Sequence, residues 1–260
     1  MQLNYPAQVA QWQVPRDDLL AFTTLAQDGG GASATIAIPT EPSALSEGSL
    51  NRQLLTQALV STSDMSSVAV QWLQQVHGSA CVYATSATAR HSPVADAVWT
   101  DQSGVALAIQ SADCVPVLLA HERAQLIGAA HGGWRGLLGG VLEALIDALP
   151  VAADELQAWI GPCISVRHFE VNEDVWAPVY AQCPNAVSAH ASEPTKRMVD
   201  LVALTRWRLQ RCGVARVAAV QQCTFADARY FSHRQTTVER GPHATTGRMA
   251  SIVMLTKGLD

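Results

Sequence analysis

Three short segments of the sequence carry side chains of the kind that bind metal ions. They are Gln75-Val76-His77-Gly78, Ala112-Asp113-Cys114 and Ala130-His131-Gly132-Gly133-Trp134-Arg135-Gly136. Together they offer two imidazoles and one thiolate, from His77, His131 and Cys114, and this ligand set suits Zn²⁺. Three protein ligands leave a fourth tetrahedral position open, which is typical of a catalytic rather than a structural zinc site. These residue types therefore indicate a metal-dependent enzyme.

Each of these residues also has a simpler interpretation. The three ligands are far apart along the chain and lack the compact spacing of common zinc motifs. A buried cysteine is often inert, and a lone histidine beside an apolar strand is often a hydrogen-bonded core residue. Cys114 with a histidine as its base would also suit a thiol hydrolase. Asp113, next to Cys114, is a candidate general acid or base, or alternatively a structural carboxylate.

A candidate anion site follows His131. Arg135 carries a guanidinium that can hold a phosphate or a carboxylate through two parallel hydrogen bonds. The segment runs from a strand through glycines into a helix, an order that exposes backbone N–H groups where an anion can bind. Alternatively, the glycines only permit close packing of helix and strand. The presence of Arg135 favours anion binding.

The composition excludes several classes of protein. The chain has 260 residues, of which 48% are apolar and 15% charged, so it is globular rather than disordered. The formal net charge is −5 with no basic run, which argues against nucleic acid as a partner. No stretch reaches the ~18 apolar residues of a membrane span, and residues 1–18 hold no signal-peptide core. With six scattered cysteines, we expect a cytoplasmic monomer with reduced thiols and no membrane contact.

Hydrophobic spacing predicts helices and strands mixed without a regular βα repeat, and hence an α+β fold in one domain. The predicted helices cover residues 50–60, 141–149 and 201–212. Pro150 ends the helix over 141–149, and the helix over 201–212 is capped by Asp200 at its start and closed by Gly213 at its end. The predicted strands cover residues 68–76, 105–109, 115–120, 126–130, 156–164, 214–220 and 250–255. The predicted loops are residues 28–50 and the polar stretch between Arg234 and Thr246.

Several segments together resemble one known family. In chain order they read QVHG, SADCVPVLL, AAHGGWRGL, WIGPCI, FEV, QCT, YFSHR and TTGRMASIVML, from about Gln75 to Leu255. The chain resembles the YfiH-like laccase-domain family, whose members are known as polyphenol oxidases or purine nucleoside phosphorylases. The resemblance implies an α+β fold of layered mixed β-sheets flanked by helices. It implies a single domain over residues 1–260, with residues 1–65 divergent from the family pattern, and zinc bound by His77, Cys114 and His131.

The activity that the resemblance implies is phosphate-dependent cleavage of the purine nucleosides adenosine, inosine, guanosine and methylthioadenosine. Adenosine deamination at the same site is a further implied activity. In these reactions Cys114, His131 and Asp113 are expected to be catalytic. The side chains expected to contact nucleoside or phosphate are those of Arg135, Arg248, Arg234 and Gln75. Arg234 and Arg248 equally suit surface ion pairs.

Other functions remain open at this point. A copper-dependent polyphenol oxidase of the laccase type needs a blue-copper site and a three-copper cluster, whereas the chain has eight histidines and no His-x-His pair. Cys114 with two histidines suits one copper ion, so copper is the less favoured metal. A cysteine hydrolase would use the same residues without a metal. A peptidoglycan-precursor editing factor, or a non-catalytic metal-binding partner in cell-wall maintenance, would be a further alternative, the latter without nucleoside turnover.

The N-terminal region departs from the family pattern. Members usually carry a Thr-Arg-x-Gly-Gly segment followed by Ser-Leu-Asn-x-Gly. Here the corresponding region reads Thr23-Thr24-Leu25-Ala26-Gln27-Asp28-Gly29-Gly30, without arginine. The complete second motif is absent, although Asn51-Arg52 resembles the helix start that follows it. We therefore expect weaker nucleoside turnover than in members with the motif, and unaffected metal binding.

Overall fold

Two β-sheets pack face to face and position the rest of the chain. The computed structural model describes residues 7–10, 16–26 and 47–256. The first sheet contains, in spatial order, β1 (Ala7–Val9), β2 (Leu19–Thr24), β14 (Met249–Leu255), β6 (Val105–Ser111) and β3 (Ala69–Gln71). The second contains β13 (Arg216–Ala219), β9 (Leu156–Ile160), β7 (Val115–His121), β8 (Ile127–Gly132), β5 (Ala97–Thr100) and β4 (Cys81–Tyr83). A small third sheet contains β10 (Glu170–Val171), β12 (Arg197–Val199) and β11 (Val187–Ala189).

Helices cover the outer faces of the two large sheets. The described residues form α1 (Glu47–Ser63), α2 (Trp134–Leu138), α3 (Val141–Ala148), α4 (Glu173–Gln182), α5 (Leu201–Arg211) and α6 (His233–Arg240). Helix α1 packs on the first sheet, and α3 and α5 pack on the second. The order of layers is therefore helix, sheet, sheet, helix. Within the described part of the chain, no helix combines the length and apolarity needed to cross a bilayer.

Strand β6 shows why the sheets stack in this way. Leu107 and Ile109 lie in the core between the two sheets, where they join Leu118 of β7. The alternate residues Ala106 and Ala108 lie in a separate core beneath α1. A strand that is buried on both faces needs apolar residues at every position. This requirement explains the continuous apolar run that the sequence shows here.

Most of the predicted elements are present, and the predicted α+β class is confirmed. The predicted helices correspond to α1, α3 and α5, and the Asp200 side chain caps α5 by accepting a hydrogen bond from Ala203 N at 2.9 Å. Gly213, with φ of 92°, follows the end of α5 as expected. The strands β6, β7, β8, β9, β13 and β14 also lie where they were predicted, with shifted ends.

Several boundaries were wrong. The strand predicted over residues 68–76 ends at Gln71, the strand predicted over 156–164 ends at Ile160, and the glycine-rich turn after His131 contains the short helix α2. The predicted polar loop after Arg234 is largely helix α6, which buries no residue and therefore carries no hydrophobic periodicity. Of the predicted loop 28–50, residues 28–46 lie outside the described residues and 47–50 begin α1.

Candidate metal centre

The three predicted metal ligands meet at one edge of the second sheet. Cys114 immediately precedes β7, and His131 lies near the end of β8, the antiparallel neighbour of β7. Because Pro116 pairs with His131, the start of β7 lies beside the end of β8. His77 reaches the same edge from the irregular segment after β3. The ligand atoms of the three side chains all lie within 4.8 Å of one another.

One pair of donor atoms has the spacing that a tetrahedral zinc ion gives its ligands. Zn–S bonds of about 2.3 Å and Zn–N bonds of about 2.0–2.1 Å place a sulfur and a nitrogen ligand about 3.6 Å apart at the tetrahedral angle. The distance from Cys114 Sγ to His77 Nε2 is 3.7 Å. The His77 ring is exposed whereas His131 is buried, so the cluster opens to solvent on the His77 side. The residues present therefore fit one ion held by three protein ligands.

This cluster is the candidate metal site that the described residues form. All eight histidines and all six cysteines lie within residues 47–256, and the cysteines are free thiols. Across the described ranges, the group His77, Cys114 and His131 is the one set of three or more histidine, cysteine or acidic side chains close enough to share an ion. A blue-copper site beside a three-copper cluster needs more ligands than this. The described residues thus offer a mononuclear site.

A buried carboxylate that the sequence analysis missed, Asp96, holds both histidines in place. Asp96 lies just before β5 and is fully buried. Its Oδ1 accepts hydrogen bonds from His131 Nδ1 at 2.8 Å and from the backbone N–H of His77 at 3.0 Å. Its Oδ2 accepts from the backbone N–H groups of Val76 at 3.1 Å and Gly78 at 2.7 Å. One side chain therefore organises two of the three ligands.

These hydrogen bonds have consequences for the backbone and for proton placement. His77 has φ of 61°, a left-handed conformation that costs a non-glycine residue about 1–2 kcal/mol. The three successive N–H groups bound to Asp96 stabilise that turn. Burial raises the pKa of Asp96, but the hydrogen bonds from His131 and from the backbone outweigh it and hold this pKa below its usual value. Ionised Asp96 accepts only, so the His131 proton lies on Nδ1 and leaves Nε2 to bind a metal.

The side chains of the cluster also favour a deprotonated sulfur. Burial raises the pKa of the Cys114 thiol, but hydrogen bonds and charge from His131 and His77 outweigh burial and lower the pKa to about 6. The pKa of His131 is raised to about 9, because its bonds to Asp96 and Cys114 outweigh the effect of burial. A bound metal ion would replace the proton that the thiolate and imidazole otherwise share.

Gly133, the residue before α2, lies directly against the cluster. A Cβ atom at this position would lie 2.5 Å from His77 Cδ2 and 3.5 Å from Cys114 Sγ. The first distance is far below van der Waals contact. The backbone of Gly133, with φ of −66° and ψ of 153°, is open to any residue. Glycine is therefore required here for space and not for conformation.

Asp113 serves the local structure around Cys114. Its Oδ1 accepts a hydrogen bond from Thr224 Oγ1 at 2.6 Å, and its Oδ2 accepts from Ser232 Oγ at 3.0 Å and Arg234 N at 2.7 Å. The residue is buried and has φ of 91°. Its carboxylate thus ties the Cys114 segment to the start of α6. This arrangement favours the structural interpretation over a general acid or base.

The three predicted phosphate-binding arginines differ in how their guanidinium groups are used. Arg234 donates to the backbone oxygens of His168 at 3.4 Å and Glu170 at 2.9 Å. Arg248 donates through Nη1 to the oxygens of two neighbouring residues, at 2.9 and 3.0 Å. Arg135 is exposed and lies over the Trp134 ring at 4.2 Å; within the described residues its guanidinium has no hydrogen-bonding partner.

The predicted substrate contact Gln75 is engaged by the fold. Gln75 Nε2 donates to Gln110 O at 2.8 Å, and Gln110 N donates to Gln75 Oε1 at 2.8 Å. Both ends of the amide are thus bound to the backbone at the end of β6. Gln75 therefore attaches the segment that carries His77 to the first sheet.

Comparison with known proteins decides the family. Residues 45–256 match the model of the multi-copper polyphenol oxidoreductase laccase family. The chain belongs to this family. Purine nucleoside phosphorylase PA4543 of Pseudomonas aeruginosa is 39% identical over 221 residues, covering 84% of this chain and 83% of that protein. Purine nucleoside phosphorylase YfiH of Escherichia coli is 35% identical over 185 residues, covering 71% and 73%.

Solved structures agree with this family assignment. The Neisseria meningitidis protein NMB0706 has a TM-score of 0.80 and 33% identity, covering 96% of this chain and 98% of that one. The predicted membership of the YfiH-like laccase-domain family is confirmed, and so is its fold of layered sheets flanked by helices. The family description names several coppers, whereas the described residues of this member assemble a single three-ligand cluster.

Proposed function

We propose that this chain is a zinc-dependent purine nucleoside phosphorylase whose zinc is held by His77, Cys114 and His131. The observation that carries the proposal is the His–Cys–His cluster, with its 3.7 Å spacing between Cys114 Sγ and His77 Nε2. The substrate class comes from the relatives that are named purine nucleoside phosphorylases. The implied small-molecule partners are a purine nucleoside and inorganic phosphate.

The chemistry sets what the site must do. Phosphorolysis breaks the N-glycosidic bond and joins the ribosyl carbon to a phosphate oxygen, so positive charge develops on the ribose and negative charge on the purine. A bound zinc ion supplies a fixed positive charge that stabilises developing anionic groups. Asp96 orients the two histidines, and Asp113 fixes the segment that carries Cys114. These residues thus position the centre, and we assign the binding of phosphate to a further side chain.

Arg135 is the residue that we assign to phosphate. It follows His131 by four positions, and its guanidinium is exposed and is not committed to hydrogen bonds with the described residues. The groups of Arg234 and Arg248 already donate to backbone oxygens. A phosphate binds an arginine through two parallel hydrogen bonds, and this requires two free donors. The available donors therefore favour Arg135.

A cysteine hydrolase is a second candidate, because one observation favours it. Cys114 Sγ lies 3.7 Å from His77 Nε2, a contact that also suits a nucleophile beside its base. The two candidates use the same side chains but differ in their need for metal. A hydrolase of this kind keeps its activity when chelators remove all metal, whereas the proposed phosphorylase loses it.

The test is turnover of adenosine and inosine by the purified protein, followed by chromatography of the bases, nucleosides and ribose 1-phosphate. We expect ribose 1-phosphate only when phosphate is present. Inosine formed from adenosine would report deamination at the same site. Cys114→Ala should abolish both reactions, and Cys212→Ala, at the end of α5, is the matched control that should keep them.

Two outcomes would contradict the proposal. Equal release of base in the absence of phosphate would indicate hydrolysis and not phosphorolysis. Full activity in Cys114→Ala would show that the reaction does not use this centre. We also propose that the enzyme is cytoplasmic and monomeric, and size-exclusion chromatography with light scattering tests the second point.

A further inference from the structure

We propose that Asp96 is the positioning residue that sets the metal affinity of the centre, by ordering His77 and His131 simultaneously. The inference rests on the proposed metal site, which it deepens. Asp96 is not itself a ligand in this scheme. It acts through the ring of one histidine and through the backbone of the other.

Each oxygen of the carboxylate binds one pair of N–H groups. Oδ1 accepts from the His131 ring at 2.8 Å and from His77 N at 3.0 Å, and thus joins the two ligands through a single atom. Oδ2 accepts from Val76 N at 3.1 Å and Gly78 N at 2.7 Å, on either side of His77. The backbone adds a fifth contact, because His131 N donates to Asp96 O at 2.7 Å.

The arrangement orders the two ligands by different means. The bond to Nδ1 fixes the rotation of the His131 ring and leaves its other nitrogen free for the cluster with Cys114 and His77. His77 is exposed, and its φ of 61° lies in the left-handed region, which only a few per cent of non-glycine residues adopt. Three N–H groups bound to a buried carboxylate compensate for that conformation before any metal arrives. The carboxylate therefore prepares both ligands in advance.

Asparagine at this position separates the two functions of the carboxylate. An asparagine side chain has one acceptor oxygen, and its NH₂ group only donates. Asp96→Asn can therefore serve either the pair His131 Nδ1 and His77 N, or the pair Val76 N and Gly78 N, but not both pairs. In either orientation two N–H groups lose their acceptor. At least one of the two ligands then loses its fixed position, although the volume of the side chain is unchanged.

Asp101 provides a matched control. Asp96 and Asp101 flank the two ends of strand β5, but Asp101 is exposed and accepts a hydrogen bond from the Tyr83 hydroxyl at 2.5 Å. Asp101→Asn makes the same chemical change at the other end of β5, away from the cluster. We expect it to bind metal as the parent protein does.

The test measures the zinc dissociation constant of the three proteins by competition with a chromophoric chelator. We expect Asp96→Asn to bind zinc about 10- to 100-fold more weakly than the parent, as is typical for partners of metal-bound histidines. Co²⁺-substituted protein supplies a second readout, since its visible absorption reports the ligand geometry. We expect changed Co²⁺ bands in Asp96→Asn and parental bands in Asp101→Asn.

The outcomes distinguish positioning from a purely structural role. A structural role alone would lower the stability of the metal-free protein toward urea and leave the zinc affinity and Co²⁺ bands of the folded molecules unchanged. That result would overturn the inference while leaving the metal centre intact. A parent protein without zinc affinity would instead overturn the centre itself, and with it the role of Asp96.

A measurement on the unmodified protein covers the case in which Asp96→Asn does not fold. Amide hydrogen exchange of the metal-free parent should show protection at residues 76–78, with little change when zinc is added. Rapid exchange at these three amides in the metal-free protein would overturn the inference, because the carboxylate would then not hold the turn in advance.

Discussion

Replacing Gly133 with alanine should damage the metal site without damaging the fold. The φ and ψ of Gly133, −66° and 153°, are favourable for alanine. At a compatible position, a change from glycine to alanine stabilises a protein by about 0.4–1 kcal/mol through the unfolded chain. The new methyl group, however, would lie 2.5 Å from Cδ2 of His77, and only a movement of this ring or of the backbone relieves the clash.

The size of the movement sets the expected effect. Ordinary contact between carbons needs about 3.5–4.0 Å, so the two groups must separate by about 1 Å. Distances at a metal site are defined within about 0.2 Å. If the exposed His77 ring makes this movement, it leaves bonding distance. We therefore expect Gly133→Ala to bind zinc at least ~100-fold more weakly than the parent, which is the upper end of the loss found when a ligand only loses its hydrogen-bonding partner. This loss corresponds to about 2.8 kcal/mol of binding free energy.

The assay compares Gly133→Ala with Gly78→Ala, a matched change in the turn that carries His77. A Cβ at Gly78 would meet its nearest atoms at 3.5 Å, which is ordinary contact. Chelator competition gives the zinc dissociation constants, and urea unfolding gives the stability of the metal-free proteins. We expect weakened zinc binding only in Gly133→Ala, with metal-free stability retained. Parental zinc affinity in Gly133→Ala would refute the reasoning from this close contact.

Three further changes test individual residues. Arg135→Ala should raise the phosphate KM, and Arg135→Lys should restore little of the phosphate binding because lysine lacks the planar pair of donors. Arg123→Ala, in the turn at the far end of β7, is the control, and parental phosphate kinetics in Arg135→Ala would remove Arg135 from the site. Asp113→Asn should lower the free energy of unfolding in urea by about 1–3 kcal/mol, because the one acceptor oxygen of asparagine cannot serve all the buried donors that Asp113 binds. If Asp113→Asn is as stable as the exposed control Asp147→Asn, this prediction is wrong. Leu25→Arg should restore a charge-assisted hydrogen bond of about 1.5–3 kcal/mol and thereby raise kcat/KM for adenosine by roughly ten- to more than hundredfold. An unchanged kcat/KM in this variant, together with fast turnover by the parent protein, would show that the family arginine is not needed here.

The three residues of the candidate metal cluster could be picked out from the sequence because their residue types report their chemistry. His77, Cys114 and His131 each follow or interrupt an apolar run, and strand pairing then brings their positions together at one edge of the sheet. Asp96 was not found, although a signal exists. It is a lone acidic residue inside the otherwise apolar run 94–99, where an unpaired charge would be costly to bury. Its partners come from the distant segment 76–78 and from β8, so only the tertiary structure identifies them.

The functions of the polar residues near the centre were harder to predict than their presence. Gln75 was predicted to contact the substrate, and Asp113 to be either a general acid or base or a structural carboxylate. In the structure the side chains of both bind backbone and hydroxyl groups within the fold. A sequence does not show whether a polar group already has a partner. The same limit applies to Arg234, whose guanidinium donates to two backbone oxygens. For helix α6 the reason is different, since a helix without buried residues lacks the apolar repeat that predicts helices.

The zinc content of the purified protein, measured by inductively coupled plasma mass spectrometry, tests the central claim most directly. The arrangement of His77, Cys114 and His131 predicts one zinc ion per chain. The same measurement on a folded Cys114→Ala, His131→Ala double variant should find almost none, because one ligand remains. A parent protein without stoichiometric zinc, or a double variant that retains it, would contradict the assignment of this centre.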